Sequence, residues 1–471
     1  MAINRKLNFL ITILFTGIWL SVGSDPYDYL KILETKNLLF LNNLNFKLID
    51  IVNFCRAIFP LIALIICSII IFKFNFFTKQ KLFLYILLTI QIIQILTTFL
   101  SQETIMSNYE NTIDHIGRYH WLVSSIATIM IFMIANRLNS FDMKNFFYIS
   151  IFFLFLMVVW FTGKIFIDFY LLSASKPMYH LSVYRESATF LGHDMPRITG
   201  LSRSIIILYV ILLFFNLKQK KIYNLTKYFL LLFLGTCILL FQSKYSVVTF
   251  FLVNLIYFLS SSDKKATIKF LVVLLLFQFF TTFAIYQTRD FVKNIIEKNI
   301  PNLNTLNLKN ADKNKIKDES FYLRNFGDAS KEGYDYVKDA ISSGRLQLWK
   351  DAYEHILNRP FLGYGSMSDR AIINEVRLKN QVLVNPVSNA FLYSVISGGI
   401  LCLILFIIFW LLLLRKILNI FKLQLISSQY EKIGIIIIVL ISLRCLIENS
   451  MMLFGVDFLI ILNSLHLKKV K

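Results

Sequence analysis

Long apolar runs with few charges recur from one end of the chain to the other, at roughly residues 7–22, 57–72, 82–100, 121–136, 146–162, 204–217, 228–241, 245–260, 270–286, 389–414, 433–447 and 451–467. In hydrocarbon an unsatisfied backbone group costs several kcal/mol, so such runs must be helices, which bond their own peptide groups. About 20 residues rising ~1.5 Å each cross the apolar slab. The pattern therefore predicts an all-α integral membrane protein with about twelve transmembrane helices. Ser21, Gly23 and Ser24 after the first run faintly resemble a signal-peptidase site, but eleven runs follow, and an uncleaved anchor is expected.

The polar segments between the runs are unequal. Those on one side are short and lysine-rich; those on the other are longer, at 23–56, 101–120, 163–203 and above all 287–388. The last divides the chain into spans one to nine (1–286), a large loop (287–388) and spans ten to twelve (389–471). A connection does not need that length, which points to function in the loop. Residues 300–330 are polar and rich in Asn and Lys. From 343 to 358 the text changes: Leu346, Trp349, Ala352, Tyr353, Ile356 and Leu357 recur at three- and four-residue spacing, predicting an amphipathic helix. Ser343 suits its N-cap, and Pro360 ends it after Asn358 and Arg359. Gly363 and Gly365 then predict a tight turn. Such a helix would lie on the outer membrane surface or close over a cavity.

Composition agrees and excludes a soluble domain: of 471 residues 56% are hydrophobic and 16% charged, with mean hydropathy +0.63. The net charge of +21 would suit a nucleic-acid partner if it lay on one polar surface. Instead, with the N-terminus inside, the short segments hold 21 basic residues, from Arg5 and Lys6 to Lys468, Lys469 and Lys471, against three acids (Asp142, Asp263, Glu431). An excess of 18 on one side is the positive-inside bias; it sets orientation and implies no nucleic acid. Both termini are expected in the cytoplasm and the large loop outside. The five cysteines lie in or beside runs, without disulfide or zinc spacing. No internal repeat stands out, and no nucleotide fingerprint, HExxH or DxD pair stands in a credible context, so no metal and no cofactor is expected.

Basic residues on the outer side run against the bias and are the candidate chemistry. Arg197 and Arg203 flank the start of span six, Lys244 sits at the mouth of span seven, Arg345 opens the loop helix and Arg444 lies near the end of span eleven. Together they could hold an anion at the membrane boundary, most naturally a lipid diphosphate, since arginine binds phosphate bidentately. Singly, each could snorkel to the headgroups, and Arg444 with Glu448 could be a structural pair. Candidate general bases on that side are His193, Asp194, His355 and Glu375. The aromatic content, 15%, could supply sugar-stacking surfaces, but in a membrane protein it more often serves lipid contact and the interface belt.

Residues 343–410 resemble the O-antigen ligase/polymerase family of bacterial surface-polysaccharide enzymes. Arg345, Trp349, Pro360-x-x-Gly363-x-Gly365, Asn389, Gly399 and Ile400 follow its order. Arg197–Gly200 is similar to its Arg-x-x-Gly before a span, and Gln242–Ser246 to its Ser-Arg turn, with Lys244 for Arg. The family's ligases carry a His before the Asn; here it is Ser388. The resemblance implies a GT-C-like membrane glycosyltransferase of the bacterial cytoplasmic (inner) membrane with a periplasmic large loop. It implies transfer of a glycan from undecaprenyl diphosphate to a hydroxyl, without a metal. By the resemblance Arg345 and Arg197, with Lys244, would hold the diphosphate as catalytic residues; the outer-side reading adds Arg203 and Arg444 to the diphosphate site and His193 or His355 as the base. The acceptor would be another lipid-linked repeat unit (a polymerase, which Ser388 favours) or lipid A–core (a ligase); a protein O-oligosaccharyltransferase is a third form. Membrane lipids and a chain-length regulator are implied partners. A lipid-linked glycan flippase is the alternative outside enzymes, but the near absence of mid-span charges speaks against it.

Overall fold

The computed structural model describes residues 2–22, 48–78, 80–101, 112–138, 142–171, 189–190, 193–194, 198–215, 221–241, 243–299, 345–369, 387, 389–426 and 428–467. Among these, thirteen α-helices follow in chain order: α1 Ala2–Ser21, α2 Leu48–Lys73, α3 Leu82–Leu100, α4 Thr112–Arg137, α5 Lys144–Leu171, α6 Ile198–Phe214, α7 Lys221–Phe241, α8 Lys244–Ser260, α9 Lys264–Asn299, α10 Arg345–Asn358, α11 Ala390–Ile417, α12 Gln429–Arg444 and α13 Val456–His466. A 3-10 segment, Leu418–Leu425, extends α11. Two two-residue strands, β1 (Thr189–Phe190) and β2 (His193–Asp194), pair antiparallel. Every apolar run of the sequence coincides with a helix, and the loop helix α10 ends just before Arg359 and Pro360, as expected.

Among the described residues, six helices are long and apolar enough to cross a membrane by length and composition: within α3, α4, α5, α7, α9, and α11 with its 3-10 extension. Four shorter apolar helices lie within α2, α6, α8 and α13. The chain is a multi-pass membrane protein. Ser343, proposed as a cap, and the segment 300–330 lie outside the described residues. The last helix starts later than its apolar run: residues 445–455 form turns, with Met451 at φ +69°. Asn449 and Ser450 spend their side chains on Asp369, Asn389 and Asp457 across that turn, which outweighs the helical preference of the methionines.

Apolar contact alone does not choose neighbours in lipid, so small residues and polar pairs must. Trp19 of α1 donates to Ser150 of α5 (3.0 Å), and Asn463 of α13 donates to the same hydroxyl (2.6 Å). Tyr209 of α6 donates to Asn254 of α8 (2.9 Å). Gln278 of α9 donates to the Leu231 carbonyl of α7 (3.0 Å), over Gly235, where any Cβ would run into the Gln278 amide. At one end of the bundle α3, α4, α6, α8, α11, α12 and α13 assemble the features below.

Candidate functional site

Helix α11 is broken in its first half. Gly398 (φ −148°) and Gly399 (φ +66°, ψ −168°) leave helical geometry, and the second is a backbone state essentially restricted to glycine. The break frees backbone groups of Ile396 and Ile400. The turn after α10 satisfies them: Tyr364 N–H donates to the Ile396 carbonyl (2.6 Å), and Ile400 N–H donates to the Pro360 carbonyl (2.8 Å). Gly363 (φ +64°) sits so close that a Cβ there would lie 2.6 Å from the Ile396 oxygen and 2.7 Å from the Gly399 nitrogen. Gly365 (φ +89°) crosses α3 at Thr98, and Thr98 Oγ1 accepts from Ser366 N–H (2.9 Å). The Pro-x-x-Gly-x-Gly text thus encodes a turn docked into a helix break.

Arg118 locks the same turn. It is fully buried, and its Nε and Nη2 donate to the carbonyls of Ser366 (2.6 Å) and Tyr364 (2.7 Å). Ser101 also donates to the Tyr364 carbonyl (2.6 Å), and Tyr393 Oη accepts from Met367 N–H (2.9 Å). Sequence reasoning did not single out Arg118; the available signal was a guanidinium at the head of the apolar run of α4.

Asn389 caps α11. Its Oδ1 accepts from Phe391 N–H (3.0 Å) and Leu392 N–H (3.1 Å), while its Nδ2 donates to the Leu446 carbonyl (3.0 Å). Ala390 N–H donates to the Cys445 carbonyl (2.9 Å). Buried Asp369 accepts from Val387 N–H (3.0 Å). The start of α11 is thereby fastened to the α12–α13 turn. Asn389→Ala should lower stability by about 0.5–2 kcal/mol, the usual loss for a missing cap; Asn389→Asp, which keeps the acceptor, should recover most of it. Thermal melting of the solubilised protein reads this, and equal losses in both variants would mean that the Nδ2 bond matters more than the cap.

That turn leads into a buried ionic trio. Asp457, in the first turn of α13, accepts on Oδ2 from Arg203 Nη1 (2.9 Å) and Ser450 Oγ (2.6 Å), and Arg444 Nε stands 3.4 Å from the same oxygen as an ion pair without a hydrogen bond. Asp457 and Arg444 are 4% and 5% exposed. The Arg444 guanidinium also lies over the Tyr245 ring (5.7 Å), and Tyr245 Oη donates to the Leu440 carbonyl (2.6 Å). Glu448, one turn after Arg444, also acts electrostatically on Arg203, so the two guanidiniums face two carboxylates. Among the described residues, Asp457 Oδ1, Arg203 Nε and Arg444 Nε are shut from the surface with no hydrogen-bond partner. The Asp457 carboxylate keeps the two guanidiniums apart and aimed.

Of the residues expected to act, Arg203 and Arg444 are brought together on Asp457, which sequence reasoning missed. Lys244 opens α8 beside Tyr245, and Arg345 opens α10. Arg197 lies outside the described residues, directly before α6, as do Glu375 and Ser388. His193 and Asp194 form β2. His355 is half-buried on α10, where its carbonyl accepts from Tyr364 Oη (3.1 Å), against the docked turn. Among the described residues no group of three or more His, Cys, Asp or Glu side chains could hold a metal ion.

Residues 228–407, from α7 into α11, match the family model described as O-antigen ligase. They include Lys244, Arg345, the docked turn and Asn389, and stop short of Arg444 and Asp457. No curated protein and no solved structure matches the chain.

Proposed function

The chain carries, at residues 228–407, the O-antigen ligase domain of the O-antigen ligase/polymerase family, and on that premise we propose that it is a polysaccharide polymerase of the bacterial inner membrane. All twelve apolar helices cross the bilayer in a GT-C-like bundle, with both termini cytoplasmic and the large loop in the periplasm. The donor is a glycan on undecaprenyl diphosphate, and the acceptor is a hydroxyl of a second lipid-linked repeat unit. The acceptor oxygen attacks the anomeric carbon, the bond from that carbon to the diphosphate oxygen breaks, and the bonding pair leaves with the diphosphate. The acceptor proton passes to a base, for which His193 and His355 are the candidates. Arg345 and Arg197 stabilise the charge growing on the leaving group, with Lys244, Arg203 and Arg444 beside them, so no metal is required.

The observation that carries this reading is the trio. Arg203 and Arg444 lie far apart in sequence yet meet on one carboxylate, next to Tyr245, which follows Lys244 in the chain. Purely snorkelling cations would spread around the rim. The ligase reading shares this chemistry and the family's name, and Ser388 in place of the ligase His favours the polymerase.

The deciding experiment is a gel of surface polysaccharide from deletion and complemented cells. A polymerase leaves lipid A–core bearing a single repeat unit when deleted, whereas a ligase leaves long chains on the undecaprenyl carrier. Complementation with Arg345→Ala or Arg197→Ala should fail to restore long chains; normal chain length with both would refute the assignment of these arginines.

A further inference from the structure

Helix α10 carries a second apolar face that is exposed. At about 100° per residue, its side chains fall into three stripes. Leu348, Ala352 and Ile356 form the first and pack with Tyr364, Val387 and Ile396 against α11. Lys350, Glu354 and Asn358 form a polar stripe. Between them lies a third stripe, Leu346, Tyr353 and Leu357, wholly apolar or aromatic and more than half exposed, and the turn prolongs it with Phe361 (75% exposed) and Leu362. A helix with protein on one side and water on the other has no use for such a stripe.

Two independent measures locate it relative to a bilayer. On α11, Arg415 and Lys416 mark the inner end, and about 20 residues of apolar helix above them reach Val395–Ile396. On α3, Lys81 marks the inner end, and the same length reaches Ser101. These are the points that hold the turn: Ile396 accepts from Tyr364 N–H, and Ser101 donates to the Tyr364 carbonyl. The docked turn and the α10 stripe therefore stand at the outer acyl–headgroup boundary. The exposed apolar surfaces of α11 (Ile400, Leu401, Ile404) and α3 (Leu96, Phe99, Leu100) lie on the helices that grip the turn and continue downward from it.

We propose that the Leu346–Tyr353–Leu357 stripe with Phe361 and Leu362 inserts into the outer leaflet, its partner being membrane lipid at the depth of the upper acyl chains. The inference rests on the membrane-spanning reading of α3 and α11. Its consequence is functional: Arg345, the first residue of α10, is held at headgroup depth, where the phosphates of a lipid-linked donor lie, while the polar stripe faces the periplasm.

The test places nitroxide labels on single cysteines in the full chain, reconstituted in phosphatidylethanolamine/phosphatidylglycerol liposomes, in a Cys55→Ser background; the other four cysteines are buried. Leu357→Cys and Phe361→Cys are compared with Glu354→Cys on the polar stripe and Leu411→Cys, an exposed mid-helix position of α11. Relaxation by oxygen reports lipid, and relaxation by a nickel chelate reports water. The proposal expects Leu357 and Phe361 to resemble Leu411, with an oxygen-to-nickel ratio well above that at Glu354. It is overturned if both match Glu354, or if neither reagent reaches them, which would mean a protein cover such as a second copy. If Leu411 itself reads as aqueous, the membrane-spanning premise falls first.

Discussion

Asp457→Ala should abolish long-chain polysaccharide and lower the stability of the protein by about 3–5 kcal/mol, the usual consequence of removing one partner from a buried ion pair. Arg203 and Arg444 would then stand as like charges in a site that is almost closed to water, and the Ser450 hydroxyl would lose its acceptor. The melting temperature of the solubilised protein measures the first effect and the polysaccharide gel the second. A companion variant separates structure from chemistry. Replacing the trio as a unit, by Asp457→Leu with Arg203→Met and Arg444→Leu, removes all three of its charges at once, and such exchanges are often neutral or stabilising. The triple variant should therefore melt close to the wild type yet remain unable to elongate chains. Recovery of elongation would reduce the trio to a structural strut and remove the main support for the proposed anion site.

Gly399→Ala should be the most damaging single methyl added to the outer half of the bundle. The backbone state costs a non-glycine residue about 1–3 kcal/mol, and the new Cβ would collide with the Phe361 carbonyl. Relief requires the turn to back out of the helix break. That would forfeit the Tyr364–Ile396 and Ile400–Pro360 bonds, each worth about 0.5–1.5 kcal/mol net, and leave the Arg118 guanidinium without its two carbonyls. Limited proteolysis should show the change as faster cutting between Asn358 and Asp369, alongside a lower melting temperature. If Gly399→Ala resists cutting as the wild type does, the break in α11 does not serve to seat the turn.

Legibility of this protein from sequence divides along a physical line. Hydrocarbon demands that backbone groups be satisfied locally, so helices are written in their own apolar runs, and each run coincides with a helix among the described residues. The loop helix was equally local: its three- and four-residue spacing, Pro360 and the two glycines need no partner to be recognised. What the glycines are for was not local. Gly363 is glycine because the Ile396 carbonyl comes within reach from a helix more than thirty residues away, and no spacing within the motif encodes that approach. Asn389, read only as a position in the family's motif order, caps α11 and holds the α12–α13 turn.

Charges behaved the same way. The topology bias picked out Arg203 and Arg444 as misplaced cations, because charge asymmetry is a property of the linear chain. Their shared carboxylate was invisible: Asp457 stands in an apolar run 254 residues beyond Arg203, and one acid in such a run looks like a helix-start residue until folding sets two guanidiniums against it. The sequence by itself determined the helices, the loop element and the odd cations, since each depends on near neighbours and on the bilayer. Only the tertiary structure decided which cations meet, what neutralises them and where the turn docks, because those contacts join residues that share no local signal.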